Sequence, residues 1–276
     1  MLRINSRGHF FSFDRPVIMG IMNVTSDSFF DGGKYQGLSA TLKHCEDMIS
    51  GGADIIDVGA FSTRPGAGFV PEVEEAERLI PVVKAVRKEF PNILTSIDTF
   101  RQSIARQSVE EGADIINDIS GGTFDEKMIP YIGQNHIPYV LMHGSDSLET
   151  MHHGNIISEN VCETVKLFFE NQLGKLKKFG RQQVILDPGI GFNKTIECNF
   201  ELLDRMERYR IADFPILIGI SRKSLIYKTL GVTPNESLNG TTVLNTIALL
   251  RGADILRVHD VKEAAEVRIL VEKTII

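Results

Sequence analysis

The chain runs to 276 residues, 42% hydrophobic and 24% charged, with 30 basic and 36 acidic side chains for a net charge of −6. That balance suits one sizeable soluble core; no basic stripe interleaved with aromatics points to nucleic acid, and no apolar run approaches the ~20 residues of a membrane span. Cys45, Cys162 and Cys198 are odd in number and include no Cys-x-x-Cys pair, so they indicate reduced thiols rather than a disulfide framework or zinc knuckle. No basic region followed by an apolar run opens the chain, and a cytoplasmic location is the default expectation.

Residues 1–15 differ from the rest. Leu2–Asn5 and His9–Phe13 alternate around Ser6-Arg7-Gly8, which predicts a short hairpin. From Val17 onward, apolar runs alternate with helical patterns. The predicted strands are 17–23, 54–59, 93–98, 114–119, 138–143, 183–187, 215–220 and 254–259. Most are unbroken apolar runs, as in parallel strands buried on both faces. After the first, residues 39–50 place Leu42, Cys45 and Ile49 on one helical face, with Ser39 as N-cap and Gly51-Gly52 as stop. In 72–90, Glu72, Glu74, Glu75 and Glu77 crowd the start while Lys84, Arg87 and Lys88 lie near the end, an order that suits the helix dipole. Pro81 predicts a kink or break there. Later helices are predicted at 157–179, with an apolar face of Val161, Val165, Phe168, Leu173 and Leu176, and at 240–251 and 261–273.

Three strands open alike, with Gly-Ala-Asp at 52–54, 112–114 and 252–254. Each Gly is predicted to end its helix in a left-handed conformation. Eight strands joined by right-handed crossovers favour closure. The expected fold is α/β: a (β/α)8 (TIM) barrel over 17–276 whose N-terminal mouth is covered by the hairpin, one domain spanning 1–276. No Gly-x-Gly-x-x-Gly follows the first strand, which weighs against a dinucleotide fold.

Strand C-termini gather at one end of such a barrel and form its active-site face. The strands here end at Asn23, Asp57, Asp98, Asn117, His143, Asp187, Ser221-Arg222-Lys223 and Arg257-Val258-His259. Asp98, Asn117 and Asp187 are acceptor-rich and suit a ligand with several N–H donors, such as an aminopyrimidine-like ring. Arg64, Arg222, Lys223, Arg257 and His259 form a cationic group suited to phosphate, and Asn23 could offer an oxygen to a Mg2+ that neutralises a diphosphate. Two long loops at this end, 23–37 and 59–71, carry aromatics and charges among Gly, Ser, Thr and Pro, and read as working parts. No Gly-x-Ser-x-Gly, His-Glu-x-x-His or Cys/His pairing supplies a nucleophile or zinc site, and His152-His153 reads as exposed. Electrostatics and orientation are then left to supply the catalysis.

These residues resemble the dihydropteroate synthase family over nearly the whole chain. The matching blocks are NVTSDSFFDGG at 23–33, DVGAFSTRPGA at 57–67, SIDTF at 96–100, INDISGG at 116–122, LMH at 141–143, LDPGIGF at 186–192, GISRKS at 219–224 and RVHDV at 257–261. Ser26 stands where the family usually has Pro, Phe61 where an acidic residue is common, and Gly144-Ser145-Asp146 departs from the usual motif. The resemblance implies a transferase that condenses hydroxymethyl-dihydropterin diphosphate with p-aminobenzoate, releasing dihydropteroate and diphosphate, in a homodimer. It also implies roles. Asp98, Asn117, Asp187 and Lys223 would hold the pterin, packed by Met142 and Phe192 and stacked by Arg257. Asn23, Arg257 and His259 would hold diphosphate and Mg2+, with Arg64 and Asp31 closing from the loops. Phe29, Thr63, Pro65, Phe192 and Ser224 would line the p-aminobenzoate pocket. Competing expectations are a pterin or folate module of a corrinoid-type methyltransferase, a non-enzymatic pterin binder, and an aldolase-type barrel with Lys223 as a Schiff-base lysine.

Overall fold

The computed structural model describes residues 2–24, 34–60, 70–145, 159–180 and 182–274. Strands β1 (Leu2–Ser6) and β2 (His9–Phe13) form the expected hairpin, Leu2 opposite Phe13 and Ser6 opposite His9. Its two turn residues, Arg7 and Gly8, both have positive φ, 52° and 76°, which matches the right-handed twist of a hairpin.

Eight parallel strands come next: β3 (Val17–Asn23), β4 (Ile55–Gly59), β5 (Leu94–Asp98), β6 (Ile115–Asp118), β7 (Tyr139–Met142), β8 (Val184–Asp187), β9 (Leu217–Ile218) and β10 (Ile255–Val258). They are ordered β8-β7-β6-β5-β4-β3-β10-β9. A parallel bridge between Leu186 and Ile216 brings β9 back to β8 and closes the ring. The helices of the outer layer are α1 (Lys34–Ser50), α2 (Glu72–Glu89), α3 (Gln102–Glu110), α4 (Met128–Asn135), α5 (Val161–Leu176), α6 (Ile196–Asp204), α7 (Met206–Tyr209), α8 (Ser224–Leu230), α9 (Leu238–Leu250) and α10 (Val261–Thr274).

The period of two along a strand sorts the side chains. Ile18, Ile56, Ile97, Ile116, Leu141, Leu186, Ile218 and Leu256 face outward into the large core shared with the helices. Their neighbours Val17, Ile55, Leu94, Ile115, Val140, Ile185, Leu217 and Ile255 face inward and pack with Leu2 and Ile4 of the hairpin. The hairpin thus stoppers the N-terminal end of the barrel. Two residues further along the same inward face come Asp57, Ser96, Asn117, Met142, Asp187 and Arg257, so the interior changes from aliphatic to polar within one layer.

The Gly-Ala-Asp repeats each do two jobs. Gly52, Gly112 and Gly252 have φ of 104°, 102° and 95°. The amide after each reaches back to close its helix: Ala53 to Met48, Ala113 to Ser108 and Ala253 to Ala248, the 6→1 bond of a Schellman cap. The next residue, Asp, then accepts from a neighbouring strand: Asp54 from the Ile18 amide, Asp114 from that of Thr95 and Asp254 from that of Ile216, each at 2.9 Å.

Two sequence expectations are corrected. Ser39 does not cap α1, which starts at Lys34; Gly37 inside a helix costs only about 1 kcal/mol, and the stripe of Leu38, Leu42, Cys45, Met48 and Ile49 packed on the core outweighs it. Pro81 does not break α2. Pro81 and Glu77, whose carbonyl loses its partner, are both exposed, so water satisfies that group, while Leu79, Val82, Val83 and Val86 hold the opposite face.

Candidate active site

The C-terminal mouth is built around Arg257. β10 points this side chain inward, where its Nε donates to Asp57 Oδ2 at 2.6 Å and its Nη2 to Asp98 Oδ2 at 2.6 Å. Asn117, from β6, donates its Nδ2 to the same Asp57 oxygen at 3.0 Å. One arginine and one amide thereby tie β10, β4, β5 and β6 into a polar floor.

The opposite wall rises from β8 and the loop after it. Asp187 Oδ1 accepts from the Gly189 amide at 2.7 Å. Gly189, at φ 66°, lies so close to β7 that a Cβ would meet the His143 carbonyl at 2.0 Å, and a Cβ on Gly191 would meet Lys223 at 2.8 Å. Lys223, at the N-cap of α8, donates to Ile190 O at 2.5 Å and holds its ammonium 4.5 Å from the Phe192 ring centre. Phe192 and Met142 belong to a small apolar cluster with Phe100 and Ile119, flanked by Phe124. The mouth therefore offers an apolar surface beside a set of acceptors.

Several acceptor atoms remain available. Among the described residues, nothing donates to Asp98 Oδ1, Asp187 Oδ2 or Asn117 Oδ1, and none of the three is an enclosed atom. Burial pushes the Asp98 carboxyl up to about 7, against the pull of Arg257 and with the charge of Asp57 adding to the rise. Burial raises Asp187 as well, with Lys223 opposing. Burial lowers Lys223 to about 8, while Asp187 favours its charged form. For Arg257 the same burial penalty is outweighed by Asp57 and Asp98, so its proton is held more tightly than usual. Among the described residues the mouth thus keeps Arg257 as a fixed cation, and carboxylates ready to become fully ionised when N–H donors arrive.

The structure brings Asp98, Asn117, Asp187, Met142, Phe192, Lys223 and Arg257 to this one mouth. Ser224 begins α8 beside Lys223. His259 lies two residues beyond Arg257, its amide donating to Ser221 Oγ at 3.2 Å. Asn23 is exposed at the end of β3, opposite Gly59. Phe29, Asp31, Thr63, Arg64 and Pro65 lie outside the described residues, as do Ser26, Phe61 and His152-His153. Arg222 does not join the cationic group: its guanidinium makes a bidentate pair with Asp260, both bonds 2.9 Å, and donates to Pro234 O and Asn235 O. It clamps the surface around α8 instead.

Two residues of this site have no role assigned from the sequence. Asp57 is named there only as a strand end, though the inward period from Ile55 places it on the same face as the ligand-ready acceptors. Lys194 carries no signal there. In GFNK it reads as a surface charge, yet its Nζ donates to the carbonyls of His143, Gly189 and Phe192 at 3.2, 3.0 and 3.0 Å. Burial lowers its proton affinity and Asp187 counters that. It pins the β8 loop to the end of β7. His143, buried edge-on to Phe168, is held neutral by burial and by Lys194, its pKa down to about 3, which suits packing rather than proton transfer.

No group of three or more His, Cys, Asp or Glu able to hold a metal occurs among the described residues. The described residues of the mouth therefore offer no all-protein metal cage. An oxygen from Asn23 does fit Mg2+ carried on phosphates, because that ion keeps much of its shell as water and substrate oxygens.

The profile of the pterin binding enzyme family matches residues 19–259. A dihydropteroate synthase of Synechocystis is 43% identical over 260 residues, covering 92% of this chain and 88% of the relative. The crystal structure of a Clostridium difficile dihydropteroate synthase with pteroic acid superposes with TM-score 0.87 at 38% identity, covering 96% of this chain and 99% of that one. That of the Yersinia pestis enzyme with a sulfonamide drug gives 0.89 at 36% identity, covering 99% of each.

Proposed function

From the premise that the chain belongs to the dihydropteroate synthase family, we propose that its mouth binds a pterin diphosphate ring-down, with the diphosphate directed to Arg257 and His259. The reaction is the condensation of 6-hydroxymethyl-7,8-dihydropterin diphosphate with p-aminobenzoate to 7,8-dihydropteroate and diphosphate. The observation that carries the reading is the set of unfilled acceptors, Asp98 Oδ1, Asn117 Oδ1 and Asp187 Oδ2, beside the Met142 and Phe192 surface. A flat heterocycle edged with N–H groups satisfies both. Each hydrogen bond to a charged acceptor contributes about 1.5–3 kcal/mol.

Chemistry then needs no enzyme nucleophile. The bond from the methylene to the diphosphate breaks first, and the diphosphate departs with its electron pair toward Arg257 and His259. The positive charge left on the methylene spreads into the ring, held by the carboxylates. The arylamine nitrogen attacks that carbon and afterwards loses its proton. Asn23 would offer its amide oxygen to Mg2+, which when bound neutralises part of the leaving group's charge. Phe29, Asp31, Thr63, Arg64, Pro65 and Ser224 are assigned by the family resemblance to closure and to the p-aminobenzoate pocket, where they would exclude water from the cation. The corrinoid-type methyltransferase module is set aside, since the relatives and structural neighbours are synthases. The Schiff-base reading of Lys223 has no support from the Ile190 carbonyl that binds its Nζ.

We also assign a homodimer in the cytoplasm. Support for the dimer comes from large apolar side chains left exposed in one chain on two helices, Val243 and Leu250 on α9 and Ile269 and Leu270 on α10. Sedimentation equilibrium of the purified protein tests it. The function itself is tested by diphosphate release from pterin diphosphate, with and without p-aminobenzoate and Mg2+. Release coupled to dihydropteroate formation and dependent on both is expected. A chain that binds the pterin but forms no dihydropteroate under any of these conditions refutes the reading.

A further inference from the structure

The hydrogen bond between Asn117 and Asp57 has a polarity that can be deduced. Asp57 Oδ2 already receives the Arg257 Nε–H, so this oxygen is an acceptor. The group Asn117 points at it must therefore be its NH2, not its carbonyl oxygen. A primary amide is otherwise ambivalent: rotating it by half a turn exchanges donor for acceptor at the ligand. Here the rotation is blocked, because it would set two oxygens against each other inside the barrel. Asp57 is wholly buried and Asn117 nearly so, at 0% and 3% exposure, which makes such a clash expensive. Asn117 Oδ1 is consequently turned to the open side.

We propose that Asp57 is a positioning residue that sets the donor–acceptor polarity of the ring-binding floor. By taking one N–H of the Asn117 amide, it fixes Asn117 Oδ1 toward the ring, alongside the acceptors of Asp98 and Asp187. Three oxygens then meet the ring together, which selects a ring edge rich in N–H donors over one rich in carbonyl groups. Asp57 also holds Arg257 by Nε, so the same carboxylate orients the ring acceptor and the leaving-group cation. This inference rests on the proposed placement of the pterin ring.

The test compares two variants at one position. Asp57→Ala removes the oxygen shared by Arg257 and Asn117 and frees the Asn117 amide to turn. Binding of 6-hydroxymethylpterin, followed by calorimetry, should weaken about tenfold. Asp57→Asn is nearly isosteric, and its one oxygen settles where the Arg257 Nε–H and the Asn117 NH2 both point. Its affinity should stay within a few fold of the parent. A residue that acts only through its charge would lose affinity equally in both variants. Nitrogen-15 NMR of the unaltered protein is the second measurement, with the Asn117 side-chain NH2 signal identified by its loss in Asn117→Asp. Slow exchange of that NH2 before and after pterin is added is expected. Unchanged affinity in Asp57→Ala, a loss in Asp57→Asn as large as in Asp57→Ala, or NH2 protons that become protected only when pterin binds would each overturn the role of Asp57. A parent protein that fails to bind 6-hydroxymethylpterin would instead overturn the placement of the ring.

Discussion

Both ends of the barrel are laced by aspartate–arginine pairs, and the two ends use them differently. At the hairpin end, Asp114 receives Ser6 Oγ and Arg7 Nε on one oxygen and Arg87 Nη2 and the Thr95 amide on the other, at 2.5–2.9 Å. Asp54 likewise takes Arg15, Arg268 and the Ile18 amide. Both oxygens of each carboxylate are occupied by protein. At the mouth, Asp98 and Asp187 each have one oxygen engaged and one open, and Asp57 Oδ1 has no partner among the described residues. A saturated buried carboxylate stabilises a fold; a half-saturated one stores affinity for a ligand that completes it.

The sharpest way to break this contrast is Arg257→Ala. Removing the cation should lower kcat by roughly two to three orders of magnitude, the scale for losing a donor to developing negative charge, and leave Asp57 and Asp98 facing each other. Steady-state kinetics with near-parent turnover would remove Arg257 from the leaving-group role. The counterpart at the other end is Asp114→Ala. It strands Arg87 and three other donors, and should destabilise by about 3–5 kcal/mol in denaturant titration, yet leave KM for the pterin substrate unchanged at temperatures where the protein is folded. A large KM change there would mean that the two ends are not separable.

Asp187→Asn sharpens the picture at the mouth. It keeps the shape but loses a charged acceptor, and pterin affinity should fall by an amount corresponding to about 1.5–3 kcal/mol, mainly as KM. The smallest effect is that of pH. Asp98 is raised to about 7 and Lys223 lowered to about 8. Ring N–H donors favour the ionised Asp98, so affinity should climb as pH rises through about 7 and decline above about 8 as Lys223 loses its charge. Stability has the opposite sign for Asp98. A raised carboxyl contributes stability below its unfolded value, near 3.9, and loses it as pH rises through about 7. The ligand-induced thermal shift, corrected for the ring's own titration, should therefore peak between about pH 7 and about pH 8, and a flat profile would argue against Asp98 as a ring acceptor.

Much of the site was visible along the chain because barrel geometry turns strand ends into neighbours. Asp98, Asn117, Asp187 and Arg257 each end an apolar run, and that pattern alone placed them at one mouth. Asp57 obeyed the same period, but only its contacts separate it from an ordinary strand residue. Arg222 shows the converse: it comes after a strand like Lys223, yet a φ of 55° and the pair with Asp260 turn it to the surface. Lys194 gave no signal, since its three partners are backbone carbonyls, and carbonyls are the same in every residue.

The order of elements, the inward and outward faces of the strands, the helix stops at Gly52, Gly112 and Gly252 and the family likeness are properties of local pattern, and the amino-acid order was enough to read them. Which polar group meets which was decided by closure of the barrel. Arg257 reaches Asp57 across 200 positions of sequence, and Asn117 shows its oxygen to the mouth only because a carboxylate 60 positions away takes its amide hydrogen. Periodicity specifies a direction for each side chain, whereas hydrogen-bond polarity depends on the atom it meets there, and that atom is supplied by the folded ring.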